Sequence, residues 1–432
     1  MSTTRKHTTG SLPKPNPTPF GKPFPAQASL RMLLPESILC VFLLFLVAIM
    51  LKRIGMDNEA ILYTTSATFL PLLFKPLVVS LSTRLHVCRS ATRLGFCLAF
   101  ASLLAMAHSI KNPSSSIRCA SLFSLSASLC LICSTRPFLH ITKDLPGTVA
   151  SASWRKCAVS YEIALIALMG GLVILAGVLE VYTRQPGTSW AVVCILTALF
   201  LLPLTLCRHF RVTHSKEDGT CNTPFFPTRW HNRKHIASQV KRLWHTACIV
   251  VCFLPLFFSL RLLPLFLLDR ESAGGLGLST SDIGLLQGCI AVAGLLVGAS
   301  IGRCIIRHFG LRPSLVPLSP LLSLINALCI LLAYQQFTSL PLVGLCLFLA
   351  CCGAGASSVS LLKWQIRVSD HNAQNIAFHV DITTAAAGLI LSGLISAHLL
   401  ILGYLNAFIL LTCLLAPLSL LASAIMRSRL PK

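Results

Sequence analysis

From Met32 to Met426 the chain alternates long apolar stretches with short polar ones. Twelve of the apolar stretches have the length of a bilayer crossing: 33–51, 60–82, 94–110, 118–140, 158–180, 190–207, 246–268, 282–306, 314–334, 338–362, 376–400 and 403–426, numbered here as spans 1 to 12. The hydrocarbon layer is about 30 Å thick, so a crossing helix takes about 20 mostly apolar residues at about 1.5 Å each. Strands rarely run this long without turn residues, and backbone polar groups in lipid must pair within their own segment. The pattern therefore predicts an all-α polytopic membrane protein with 12 transmembrane helices.

Composition agrees: 54% of the 432 residues are hydrophobic and 11% are charged. Charge then sets the orientation, because cytoplasmic loops carry the Lys/Arg excess. Most of the 36 Lys and Arg fall on one side, in the N-terminal tail, the central loop and the loops aligned with them. The opposite side holds only Lys52, Arg53, Lys111, Arg118, Arg184 and Arg270. Both termini are thus expected in the cytoplasm. A net charge of +23 on a soluble chain would suggest nucleic-acid binding, but here it is spread over every inner loop, as orientation requires. Nucleic acid is not an expected partner. Membrane lipids are, and the basic cluster Arg229–Arg242, which includes Trp230, suits anionic headgroups.

Residues 1–31 are rich in Pro, Thr, Ser and Lys and predict a disordered basic cytoplasmic tail. No small-residue cleavage site follows the first apolar stretch, so span 1 is expected to stay in place as an anchor. Residues 32–207 form an N-terminal six-helix bundle, 208–245 a basic cytoplasmic linker, 246–426 a C-terminal six-helix bundle and 427–432 a short cytoplasmic tail. The halves repeat coarsely. Gly55-Met-Asp-Asn-Glu-Ala-Ile61 and Gly277-Leu-Ser-Thr-Ser-Asp-Ile283 each precede the second helix of a half, at an offset of 222 residues. Six spans are an even number, so the two halves face the same way, an arrangement that characterises one large class of transporters.

Span 8 carries Gly284, Gly288, Gly294, Gly298 and Gly302, with three gaps of four. Helix association in lipid relies on close backbone approach, so these residues are expected at a helix contact, either fixed or sliding. The chain has 19 cysteines, most of them inside spans, which reads as packing rather than as a disulfide framework. Cys130 and Cys133 have no second pair beside them. No metal and no cofactor are expected.

An ionisable residue in hydrocarbon costs at least about 2.5 kcal/mol, so each one inside a span is a candidate for function. Lys75 lies in span 2 between Pro71 and the inner boundary, beside Pro76, and the prolines are expected to kink this helix. Arg261 lies in span 7, with Asp269 too far along the helix to pair with it easily. Lys75 and Arg261 are the expected substrate-binding residues. Arg136 in span 4 and Glu162 in span 5 lie at similar depth, where pairing would remove the cost of each. His379 and Asp381 in span 11 have side chains that take up and release protons. With Arg84 and Arg307 at inner boundaries, these residues are the candidates for coupling or gating.

At Lys75-Pro-Leu, at the basic end of span 2 and at the run from Gly275 to Gly284, the chain resembles the major facilitator superfamily. Within it the likeness is to the muropeptide permease group and its relatives that carry acetyl-coenzyme A. Gly403-Tyr404 followed by Phe408 opens span 12 as in those permeases. The resemblance implies the major facilitator fold, with two parallel six-helix halves, and a monomer in the inner (plasma) membrane of a bacterium. Several positions depart from the pattern. Thr83 takes the place of a loop Asp before Arg84, and Arg307 stands near the matching acidic position of the second half. Arg136 follows Ser134-Thr135 where the family has acidic residues, and Glu162 follows Tyr161 where it has Arg. The two exchanged signs support an Arg136–Glu162 contact. The expected function is a secondary active transporter, not an enzyme, that moves a small anionic or amphipathic solute by alternating access. Coupling to protons is open. The alternative is a polytopic membrane enzyme, an acyl- or glycosyltransferase.

Overall fold

The computed structural model describes residues 42–75, 88–110, 113–133, 168, 170–214, 233–336, 339–368 and 374–428. Among these residues the structure is helical, joined by turns, and parts of all twelve spans are present. Six helices are long and apolar enough to cross a membrane: Thr246–Leu268, Thr280–Phe309, Leu311–Gln335, Leu340–Gln365, Thr383–Leu402 and Tyr404–Ser428. They are spans 7 to 12. Shorter apolar helices at Leu94–Ser109, Ile117–Ala127, Gly170–Thr183 and Pro186–Leu202 fall in spans 3 to 6. The helix of span 6 runs on to His214 and that of span 7 begins at Arg233, so both reach into the linker expected at 208–245.

Span 1 is a π turn, Phe42–Leu46, leading into an α-helix, Val47–Arg53. It stops at a left-handed glycine. Gly55 has φ +93°, its amide bonds the Lys52 carbonyl at 3.0 Å, and the Met56 amide bonds the Leu51 carbonyl at 3.1 Å. This pair of bonds closes the helix end, and the burial of Met56 and Leu51 completes the motif. Lys52 and Arg53 therefore occupy the last turn, where the helix dipole favours cations.

Span 2 starts at Asn58, but its helix breaks at Thr68 and Phe69, earlier than Pro71. Proline 71 has no amide to donate, and its ring crowds the carbonyl one turn back. The Phe69 amide responds by bonding Ser66 at 3.1 Å rather than Thr65. The second half opens its second helix at Thr280, 222 residues after Asn58. Here Ser279 caps the helix: its hydroxyl accepts from the Asp282 amide at 3.2 Å and donates to the Asp282 carboxylate at 2.6 Å.

The core of the C-terminal half is aromatic where span 7 ends and span 12 begins. The Phe266 ring lies 5.4 Å from Tyr404 and 5.3 Å from Phe408, which fastens span 7 to span 12. Trp364 is buried and donates to the Met426 carbonyl at 3.2 Å. Between spans 7 and 8 the chain folds back on itself. The amides of Leu276 and Leu278 bond the carbonyls of Phe266 and Leu267 at 3.0 and 2.9 Å, so the end of span 7 has partners for its free carbonyls.

The glycines of span 8 serve two different contacts. A Cβ on Gly294 would lie 2.6 Å from the Phe348 carbonyl and one on Gly302 2.7 Å from that of Ala356, while one on Gly298 would overlap the Cys352 carbonyl. These three face span 10 of the same half. A Cβ on Gly284 would lie 2.6 Å from the Ile174 amide and one on Gly288 2.5 Å from Gly170 Cα, and those partners belong to span 5 of the other half. The π turn Leu286–Ile290 and the longer gap between Gly288 and Gly294 turn the stripe from one neighbour to the other. We expect Gly298→Ala to destabilise the protein by about 1–3 kcal/mol, because an added methyl must push span 8 off span 10. A thermal melt of the purified protein checks this, through a lowered Tm.

Candidate functional site

The two halves meet at those ends of spans 1, 2, 5, 7, 8, 11 and 12 that the distribution of basic residues assigns to the outer side, called outer from here on, and polar side chains concentrate there. Lys52 at the end of span 1 forms an ion pair with Asp269 at the end of span 7. Asn58 accepts from Lys52 at 2.6 Å through its carbonyl and donates to Asp269 at 2.6 Å through its amide. Tyr404 donates to the same Asp269 oxygen at 2.5 Å, and its own oxygen accepts from Asn58 at 3.1 Å. The loop after span 7 fixes this carboxylate: the Gly277 amide bonds the Asp269 carbonyl at 2.7 Å, and a Cβ on Gly275 would overlap that carbonyl.

The neighbouring cation builds a second cluster. Arg53 grips Glu180 with Nη2 at 2.7 Å and Nε at 3.1 Å, a two-pronged contact. Trp190 donates to Glu180 at 3.1 Å, and Thr280 donates to it at 2.8 Å. Arg53, Glu180 and Trp190 all belong to the N-terminal half, so Thr280 is the member that crosses. In the first cluster Lys52 and Asn58 come from one half, Asp269 and Tyr404 from the other. Lys52–Asp269 is the ion pair that spans the halves among the described residues. Tyr63 and His398 add a cross-half contact at 3.5 Å.

Below these clusters lies Arg261, at 4% exposure. Its Nη2 donates to the carbonyls of Thr65 in span 2 and Leu389 in span 11, each at 3.3 Å. Its guanidinium carbon sits 5.1 Å from the centre of the Phe69 ring. The Thr65 carbonyl is available because the helix breaks at Thr68 and Phe69, and Thr68 also donates to it at 2.6 Å. Backbone freed inside a membrane must find such partners. A Cβ on Gly393 of span 11 would overlap the Ser66 hydroxyl, so spans 2 and 11 touch closely at this level.

Lys75 is the last described residue of span 2 and is buried at 2% exposure. Among the described residues it and Arg261 share no hydrogen bond or ion-pair partner. Arg307 is exposed near the end of span 8. His379 and Asp381 lie on the helix Gln374–Leu399. Arg84, Arg136 and Glu162 fall outside the described residues, as does the contact expected between the last two. The outer clusters escaped the reading of the sequence. One signal for them was present: Lys52 and Arg53 are basic residues on the side where basic residues are few, and they stand next to each other.

No family model and no curated protein matches the chain. Solved structures do match its fold. A bacterial homologue of the iron transporter ferroportin, in an inward-facing state, superposes with a TM-score of 0.64 at 14% identity, over 94% of this chain and 99% of that one. A D-xylose–proton symporter gives 0.60 at 12% identity, over 94% and 96%. The nucleoside transporter NupG gives 0.54 at 11% identity, over 94% and 100%. The chain is similar to these along nearly its whole length and has the major facilitator fold, that of an integral membrane protein with two parallel six-helix halves.

The outer clusters make a direct prediction. Lys52→Asp or Asp269→Lys places two like charges together at the junction of the halves, a change worth several kcal/mol at a partly buried site. We expect either variant to raise labelling of an added Ser66→Cys by a membrane-impermeant maleimide about tenfold or more, after subtraction of the parent chain's background. Combining the two reversals should bring the labelling back toward the starting level.

Proposed function

We propose that this chain is a secondary active transporter that moves a small solute across the membrane by rocking its two halves about a central site. The carrying observation is the nature of the contact that crosses at the outer end. Among the described residues it consists of one ion pair, a few hydrogen bonds, an edge-on contact between Tyr63 and His398 and glycine-lined backbone faces. Such a contact can close and part without repacking a core. The fold shared with solute transporters supports the same reading.

In this reading the solute is anionic or amphipathic, because Lys75 and Arg261 are cations held deep in spans 2 and 7. Anything anionic in the cleft lowers their cost. Glu162, His379 and Asp381 are the candidates for proton coupling, and Arg84, Arg136 and Arg307 for the inner gate. A proton-coupled neighbour of the same fold, the D-xylose symporter, keeps this coupling in view. The distribution of basic residues supports cytoplasmic termini in a bacterial inner membrane, and the chain works as a monomer.

Uptake into proteoliposomes tests the proposal. The purified chain is supplied with a mixture of small organic anions, with and without an inward pH gradient, and the lumen is analysed by mass spectrometry. We expect selective accumulation that the gradient increases. Lys75→Ala should insert normally and lower uptake about tenfold or more, the worth of one charge-assisted hydrogen bond. Normal uptake by that variant would remove Lys75 from the mechanism, and accumulation indifferent to the gradient would remove proton coupling.

A further inference from the structure

Arg261 is held in an unusual way. It is 4% exposed, and among the described residues no carboxylate pairs with it. Its Nε has no hydrogen-bond partner among them either. Its Nη2 contacts, at 3.3 Å, are longer than an ordinary N–H···O bond. A buried cation with long bonds to carbonyl dipoles and an idle donor is incompletely compensated, and such charges mark binding sites in membranes. Phe69 covers one face of the guanidinium, so a ligand has to approach along an edge. The edge that carries Nε and Nη2 is a two-pronged donor. Its match is a pair of oxygens on one atom, as in a carboxylate or a phosphate.

The two carbonyls on Nη2 belong to different halves. Leu389 moves with Arg261 in the C-terminal half, whereas Thr65 belongs to the N-terminal half. When the halves part at the outer end, Arg261 keeps Leu389 and loses both Thr65 and Phe69 of span 2. The Thr65 carbonyl is not stranded, because the Thr68 hydroxyl already donates to it at 2.6 Å. Parting therefore exposes the fork at little cost to span 2. Closure returns the negative end of the Thr65 carbonyl to the nitrogen that an oxyanion would use.

Resting on the transport reading above, we infer that Arg261 is an oxyanion subsite for which the bound solute and the Thr65 carbonyl compete, so that binding and closure of the outer side oppose each other. By reciprocity, whatever weakens outer closure strengthens anion binding by the same factor. Lys52, which closes the outer side well away from Arg261, is the lever that separates this from a simple charge effect.

The test uses the purified full-length chain in detergent, with benzoate and phenyl phosphate as probes and neutral benzamide as control, and affinity read from the shift in Tm with concentration. We expect at least one of the anions to bind and benzamide not to bind. A response to benzoate alone assigns a carboxylate, and one to phenyl phosphate alone assigns a phosphate. Arg261→Gln should abolish the response. Arg261→Lys, which keeps the charge and loses the fork, should weaken it about tenfold, and it stands in for the glutamine variant should that one not fold. Lys52→Gln should tighten binding about fivefold or more. No response to either anion in the unmodified chain, or unchanged affinity in Arg261→Lys, would overturn the subsite. Unchanged affinity in Lys52→Gln would overturn the competition. Uptake without any anion response would discard this inference and leave the transport reading in place, and anion binding without uptake would do the reverse.

Discussion

A backbone amide or carbonyl inside the bilayer has no water to turn to, and the rest of this structure follows from that constraint. It makes the spans helical, and it decides where they can stop. Span 1 ends only where Gly55 adopts a left-handed conformation and returns two amides to the last turn. Span 7 ends where the chain doubles back and supplies amides from Leu276 and Leu278. The exception is span 2, which breaks at Thr68 and Phe69. Its loose carbonyl at Thr65 is held by a hydroxyl of its own helix and by an arginine of the other half. The break at Thr68 and Phe69 is thus also a place where the halves exchange a hydrogen bond.

The polar groups at the interface share a pattern. Many of those that reach across it also hold a partner on their own side. Lys52 keeps Asn58, Asp269 keeps Tyr404, and Glu180 keeps Arg53 and Trp190. Thr65 keeps Thr68, and Arg261 keeps Leu389. Breaking a buried ion pair is expensive chiefly because it leaves a charge with nothing bonded to it. Here separation leaves each of these groups with a bond already made. The glycine faces of spans 5 and 8 work in the same direction, since two backbones in contact have no side chains to disentangle.

How much of this was legible in the sequence depends on the range of the interaction. The spans, their orientation and the offset of 222 residues come from local composition, and the helix starts at Asn58 and Thr280 keep that offset. The glycine stripe of span 8 is equally local, but its division between span 5 and span 10 depends on a π turn that spacing alone does not reveal. Proline 71 signals a distortion of span 2, yet the break lies at Thr68 and Phe69, where the missing amide is felt. The adjacent Lys52 and Arg53 hinted at the outer clusters, but the partners of these cations were not legible. Arg53 and Glu180 are 127 residues apart, and Asn58 and Asp269 are 211 apart, so only packing brings them together.

The repeat explains why a single ion pair crosses among the described residues. Asn58 and Thr280 are equivalent by the 222-residue offset, and each bonds a carboxylate held by the opposite half: Asn58 reaches Asp269, and Thr280 reaches Glu180. The donors thus follow the pseudo-symmetry. The carboxylates and the cations do not, because Asp269 and Glu180 correspond to Val47 and Leu402, and Lys52 and Arg53 to Gly274 and Gly275. Both cations lie in the N-terminal half, where one finds its carboxylate at home in Glu180 and the other must look across to Asp269. A fully symmetric charge pattern would set two ion pairs across the junction and about double the electrostatic cost of parting it. The broken symmetry leaves a seal that is specific in register yet held by few charges, as the proposed rocking of the halves requires.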